Sequence, residues 1–330
     1  MTARAGELSA ATSPWQQAGP QERSRRRRLL LGVVIAFIVV SALTGFPTGR
    51  EVITVWLLLL LLATCAGDAR LWRQVIVRDW LPLLLVLFAY DLLRGLANEV
   101  GGALFDLPTW TSSALTHTTS RAHLTGPLDA DKSLFDGVVP TTWLQEHFFT
   151  SGHPHWYDAV ATTVYLSHFL VSLLLAVVLW CRSYPLFRRY LAVLVALTLS
   201  ALVTYVLYPA VPPWMAALNH HLPTVHRVTE ETLSSLGGGT LSSLVEQGAA
   251  YANPVAAMPS LHAAVPMMLL LFFWPEVRRG TRVVLGLYTV SMALTLVYTG
   301  EHYVIDVLVG WTYAVVVVAA AGVVRRRRST

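Results

Sequence analysis

The sequence predicts an all-α, polytopic membrane protein, and three observations carry that expectation. Of its 330 residues 55% are hydrophobic and only 13% charged, with a mean hydropathy of +0.54. The apolar residues form runs long enough to cross a bilayer, for which about 20 are needed. Basic residues gather in alternate gaps between those runs, the pattern that topology imposes on membrane loops.

About eight runs qualify as transmembrane helices: roughly 29–46, 52–67, 80–97, 157–181, 186–209, 259–275, 281–299 and 302–324. The shorter ones reach across by tilting or with interfacial residues. Ahead of them, residues 1–28 read as a disordered cytoplasmic tail ending in the basic stretch RSRRRR. That stretch, with VSA ending at Ala42, also has the form of a secretory signal. The apolar run continues past Ala42 and the basic cluster sits late, so an uncleaved first span is expected. Residues 29–79 then supply two helices, 80–324 a six-helix core, and 325–330 a second basic tail.

Sidedness follows from charge. All Lys and Arg except Arg50, Arg94, Arg121, Lys132 and Arg227 fall in the tails or in and at the edges of the gaps after the second, fourth and sixth runs. Both termini are therefore expected in the cytoplasm, which needs an even number of spans. A net charge of +5 distributed this way reflects topology, and no nucleic-acid partner is expected. Cys65 and Cys181 lie near cytoplasmic helix ends, against a structural disulfide. The preference for Arg over Lys points to a GC-rich, bacterial genome, and the plasma membrane is the expected location. Two long segments fall on the outer side. Residues 98–156 mix aromatics, Pro, Gly and acids in the manner of an ordered cap, and 210–258 carry the tandem TLSSLGGGTLSSL.

Candidate chemistry clusters where runs enter from that outer side. In AAMPSLHAAVPMMLLLFF (Ala256–Phe273), Pro259 suits the first position of a helix, because its missing N–H costs nothing there. The N–H groups of Ser260, Leu261 and His262 would then face outwards, where helix ends attract phosphate. YTGEHYVIDVLVG (Tyr298–Gly310) opens the last run, and its His302 and Asp306 share one helical face at i, i+4. A carboxylate on one imidazole nitrogen fixes the tautomer and leaves the other to act as nucleophile or base. An aspartate within a membrane also requires a partner. A lone histidine at a helix mouth is ordinarily an interfacial residue. Two at one depth can divide the labour: one attacks phosphorus and the other protonates the leaving oxygen. YPAVPPWMA (Tyr208–Ala216) closes the fifth run at the same level, its prolines stopping the helix.

These three stretches in this order, Pro212-Pro213-Trp214, then Pro259-Ser-Leu-His262, then His302-Tyr303-x-x-Asp306, resemble the type 2 phosphatidic acid phosphatase superfamily. The nearest resemblance is to its inositol phosphorylceramide synthase branch, over roughly residues 80–324. It implies a metal-independent enzyme without cofactors, working through a phosphohistidine. By position His302 would be the nucleophile, Asp306 its orienting acid and His262 the proton donor, with Ser260 and Tyr303 beside the phosphate. YDLLRG (Tyr90–Gly95), LFDGVVPTTWLQ (Leu134–Gln145) and YDAVATTVYLSHF (Tyr157–Phe169) also follow that branch, making Arg94, Asp158, Tyr165 and His168 further candidates. Structural alternatives stand beside them: Asp91 with Arg94 as an i, i+3 pair, and His168 as a bond to a neighbouring helix. The sequence departs from soluble-substrate members in lacking their Lys and Arg: Tyr208, Ala210 and Val211 stand near the prolines, and Leu296 stands six residues before His302. Phosphate charge then falls to helix N–H groups, Ser260, and Arg94 or Arg227.

The resulting expectation is a lipid phosphatase or phosphotransferase with an extracytoplasmic site, taking a membrane lipid phosphate and, for transfer, an alcohol or inositol acceptor. A non-catalytic lipid-binding scaffold or transporter would place its charges at the bilayer midplane. Here, His168 apart, they sit at the helix mouths. A serine hydrolase built on Ser260 lacks a Gly-rich nucleophile turn, and an i, i+4 pair plus one distant histidine makes a thin metal site.

Overall fold

The computed structural model describes residues 12–44, 50–66, 73–86, 89, 123, 125–235 and 256–329. Among the described residues the regular structure is helical and no strand forms, as the apolar runs predict. Helix α1 (Pro20–Thr44) begins ahead of the first run and takes in Arg23–Arg28, which the sequence reading assigns to a disordered tail, and α2 (Arg50–Thr64) occupies the second run. A π-helical stretch, Gln74–Trp80, leads into the third, most of which lies outside the described residues. The outer segment after it folds into two short helices, α3 (Gly126–Leu134) and α4 (Pro140–Phe148), each with a proline in its first turn. Then come α5 (Trp156–Arg182), α6 (Tyr184–Leu207), the short α7 (Pro213–Leu218), α8 (Leu261–Phe273), α9 (Arg279–Tyr298) and α10 (Val304–Ser329).

Among the described residues three stretches are long and apolar enough to cross a membrane unaided: α6, α9 and residues Val304–Val323 of α10. Helix α5 is a fourth if its two arms, on either side of residue 169, count as one span. The outward faces fit a lipid solvent. On α9, Val283, Val284, Leu287, Val290 and Leu294 are all more than half exposed. Such a stripe would be a liability in water and is neutral against acyl chains.

Helix α8 departs from its expected run of 259–275. Its 13 residues rise about 20 Å, against a hydrocarbon layer of about 30 Å. Both ends have a local cause. Ser260 is the N-cap, its hydroxyl accepting the Ala263 N–H at 3.2 Å, so Pro259 stands outside the helix and not at its first position. At the other end Pro275 has no N–H to continue the ladder.

Contacts divide the chain into two units, residues 1–87 with 173–192, and residues 88–172 with 193–330. In the first, α1 packs on α2 with Phe37 edge-on to Trp56, ring centroids 5.3 Å apart. Its buried Asp79 accepts hydrogen bonds from Trp180 Nε1 at 2.9 Å and Tyr184 Oη at 2.6 Å, which satisfies both carboxylate oxygens. In the second, α8 lies against α9 and α10, α4 against α9, and α3 against α10. Ala263, Met292, Leu296, Val297 and Val307 form the apolar contact among the three long helices. Isolated parallel bridges join His123 to Ala210 and Ala210 to Ala256. The Ala257 N–H donates to the Ala210 carbonyl at 3.1 Å, so the proline-rich exit from α6 is tied to the entry into α8.

Candidate active site

The turn between α9 and α10 sets the first histidine. After Tyr298 the chain bends back on α9, and the N–H groups of Glu301 and His302 both reach the Leu296 carbonyl, at 3.1 and 3.2 Å. Gly300 makes that reversal with φ +79°, in the region that favours glycine. A Cβ there would also come within 2.8 Å of Val225 Cγ1 and 3.0 Å of the His226 carbonyl oxygen. His302 is thereby held at the mouth of α10, 6% exposed.

Asp306 follows in the first turn of α10 and is fully buried. Its Oδ2 accepts the Tyr303 N–H at 2.9 Å, the backward half of a capping box. The same oxygen lies 3.5 Å from His302 Nδ1, with His302 two residues ahead of the first helical residue and so outside the helical face that the i, i+4 spacing assumes. The other ring nitrogen, Nε2, is thus the one turned away from the carboxylate.

Helix α8 brings the second histidine to the same place. The Ser260 N–H donates to the Asp306 backbone carbonyl at 3.1 Å, and Tyr205 Oη donates to the Pro259 carbonyl at 2.7 Å. The His262 and His302 rings are 5.8 Å apart between centroids, close enough to act on one phosphoryl group. Tyr165 stacks on His262 at 5.0 Å, its plane inclined by 16°, and His168 lies 4.3 Å from His262. Tyr165 and His168 of α5 therefore form the wall behind His262.

The other sequence candidates are placed differently. Ser260 is buried and spends its hydroxyl as acceptor for the α8 cap, leaving the O–H free to donate. Tyr303 is fully buried in an apolar cluster with Leu128, Val139, Val211 and Met215. Asp158 is also buried, with one oxygen accepting the His155 N–H at 2.7 Å and the other accepting the Tyr298 hydroxyl. Both its oxygens are thus engaged by protein. Arg94 lies outside the described residues. Arg227 stacks over Trp214 at 4.7 Å and pairs with Glu230 at 2.7 Å and Glu301 at 3.5 Å, beside the His302 turn.

Two residues that no site assignment in the sequence includes also hold this region together. Gln145 donates from Nε2 to the carbonyls of His226 and Tyr298, each at 2.9 Å, and accepts the His226 N–H at 2.8 Å. Asp131 binds the first turn of α10 through both carboxylate oxygens. Neither sits in a spacing that announces its partner, since each reaches across more than 80 residues of chain.

Long apolar helices, and two histidines with a carboxylate gathered at their mouths, fit the class that the chain's relatives define, membrane enzymes that process lipid phosphoesters. The chain belongs to the PAP2 superfamily, whose sequence profile matches residues 130–320, more than half of its length. It is also 27% identical over 283 residues to a phosphoinositol dihydroceramide synthase of Bacteroides thetaiotaomicron, covering 80% of this chain and 89% of that protein. No solved structure matches the chain.

Proposed function

We propose that the protein is an inositolphosphotransferase-like enzyme that moves a phosphoryl-linked headgroup between lipids through a phosphohistidine on His302. The observation that carries this reading is the 5.8 Å approach of the His262 and His302 rings, with Asp306 behind His302 Nδ1. In the first step the Nε2 lone pair of His302 attacks the phosphorus of a lipid phosphodiester. The bond from phosphorus to the lipid oxygen breaks, and that oxygen takes a proton from protonated His262. Asp306 stabilises the positive charge that His302 acquires. In the second step neutral His262 removes the proton of an acceptor hydroxyl, whose oxygen attacks phosphorus and breaks the N–P bond. An alcohol on a second lipid makes the reaction a transfer, and water makes it a hydrolysis.

The likeness to a bacterial phosphoinositol dihydroceramide synthase supports transfer to a lipid alcohol. For phosphate charge the residues at hand are the N–H groups at the start of α8 and the Ser260 hydroxyl, a helix-end arrangement suited to anions. The positive-inside distribution supports an extracytoplasmic site at this end of the helices and cytoplasmic termini.

The test uses purified protein in detergent with EDTA present and phosphatidylinositol supplied, with and without a ceramide-type alcohol. Headgroup transfer or release that disappears in His302→Ala supports the mechanism. Acid-labile, base-stable labelling of the wild type from radioactive lipid identifies the phosphohistidine. Turnover that survives His302→Ala overturns it, and cytoplasmic accessibility of a tag at 299–301 overturns the sidedness.

A further inference from the structure

Asp131 belongs to none of the three motifs, yet it is fully buried and grips the helix that carries Asp306. Its Oδ2 accepts the Val304 N–H at 3.0 Å and its Oδ1 accepts the Ile305 N–H at 2.9 Å. The first N–H groups of a helix have no partner within the helix. In α10 the Tyr303 N–H is taken by Asp306 itself, and the next two are taken by a side chain more than 170 positions earlier. We propose that Asp131 is a positioning residue of the active site: by capping α10 from the outer segment, it sets the orientation in which Asp306 meets His302 Nδ1.

Three features support this beyond the two bonds. The cap is forked, one oxygen to each of two successive N–H groups, so it fixes the rotation of the first turn as well as its height. Helix α3, which carries Asp131, is itself anchored: Leu128 packs with Tyr303, the residue next to His302, among Val139, Val211 and Met215. The Asp131 carboxyl is raised to about 6, chiefly by burial, with the Ile305 and Val304 N–H groups pulling the other way and Asp306 adding a smaller upward push. Asp131 is therefore mainly ionised at neutral pH, the state that complements a helix N-terminus.

The positional claim stands on this geometry, and its catalytic consequence rests on the phosphohistidine reading above. The Asp306–His302 approach of 3.5 Å is long for a hydrogen bond, so a small rotation of the first turn decides whether it closes or opens. Misplacement of about 1 Å at a catalytic group costs on the order of 100-fold in rate.

The experiment uses the full chain in detergent, with histidine labelled with nitrogen-15, and compares wild type with Asp131→Ala and Asp131→Asn. The His302 ring signals are assigned by their absence in His302→Gln and followed across pH. Phosphatidylinositol turnover is measured in parallel. In Asp131→Ala the apparent pKa and tautomer ratio of His302 shift. The value of kcat falls about 100-fold and KM stays within about threefold. Asp131→Asn keeps one acceptor oxygen and gives an intermediate shift. It also serves as the reading variant if Asp131→Ala fails to fold. His302 signals identical to wild type in a folded variant overturn the proposal, whatever happens to the rate. Shifted signals in a protein whose turnover does not depend on His302 support Asp131 as the positioning residue and overturn the phosphohistidine reading instead.

Discussion

The backbone N–H of Ser260 donates to the backbone carbonyl of Asp306 at 3.1 Å, so the mouths of the two histidine-bearing helices are joined through main chain. Side-chain bonds stretch and swing, whereas a main-chain bond between two helix ends fixes both position and direction. The spacing of His262 and His302 follows from that joint. Gly310 makes it accessible. It lies four residues after Asp306, on the same face of α10, and the Ser260 carbonyl sits against it.

A Gly310→Ala variant tests the joint. The new Cβ would overlap the Ser260 carbonyl oxygen and lie 3.3 Å from its carbon, and neither can move away as a flexible side chain would. Overpacking of this kind costs about 1–3 kcal/mol. The expected result is a lower Tm in detergent and a fall in turnover larger than the stability loss explains, because the two histidines separate. Wild-type turnover would show that the joint does not set the catalytic spacing. Gly286→Ala, on a face of α9 with open space around the added Cβ, is the matching control.

His262 is assigned to the leaving group, and that role has a chemical signature. A proton donor contributes about 100- to 10,000-fold when the leaving oxygen is a poor one. It contributes little when the leaving group departs as a stable anion. His262→Gln is therefore expected to lose most of its first-step rate on a dialkyl phosphate lipid and to recover much of it, read as the initial burst of nitrophenolate, on a nitrophenyl ester. His302→Gln should lose both. Equal losses for His262→Gln on the two substrates would remove the proton-donor assignment.

The gathering of His262, His302 and Asp306 at one place follows from parts of the sequence that are local. His302 and Asp306 are close in sequence and meet at the entry to α10, although His302 stands just ahead of the helix and not on the helical face that the i, i+4 spacing assumes. The approach of His262 was readable from entry side and depth alone. The correction at Pro259 has the same local character: Ser260 out-competes it by capping, and a proline before the N-cap serves the chain as well as one at the first turn. Tyr303 and Asp158 show the limit. Both stand in motif-like stretches, and burial decides that one packs among apolar side chains while the other holds Tyr298 and His155. Asp131 and Gln145 were invisible for a different reason. A residue that binds backbone carries no sequence mark of its partner, since every residue offers the same N–H and C=O.

Gln145 gives that point a measurable form. Its amide satisfies two carbonyls and one N–H between the 226 segment and the end of α9, and it is only 5% exposed. Gln145→Leu keeps similar bulk and strands those groups, at about 1–3 kcal/mol for each one left buried. A marked fall in Tm is expected, with faster hydrogen exchange at His226. Gln145→Glu can keep accepting the His226 N–H but cannot donate, so it should lie at or below Gln145→Leu. A Tm unchanged in both would mean that water replaces the amide.

The outer segment should also show a pH dependence that is traceable to one group. The Asp131 carboxyl is raised from 3.8 to about 6, chiefly because burial disfavours its charge, with Asp306 a minor like-charged neighbour. A carboxyl raised on folding binds more protons in the folded state within that window, so stability falls as pH increases through it. The contribution is fully present below the unfolded value and lost as pH rises through about 6. In Asp131→Asn this titration is absent. The Tm of wild type relative to Asp131→Asn should therefore decline between about pH 4 and about pH 7 and level off above that. The absolute offset between the two proteins includes the acceptor oxygen that Asn lacks, so the slope carries the information. A difference that stays flat across the window would mean that the Asp131 carboxyl is ionised throughout, held so by the Val304 and Ile305 N–H groups. A difference that rises with pH would mean those two bonds outweigh the burial, and that the charged cap adds stability at every pH where it forms.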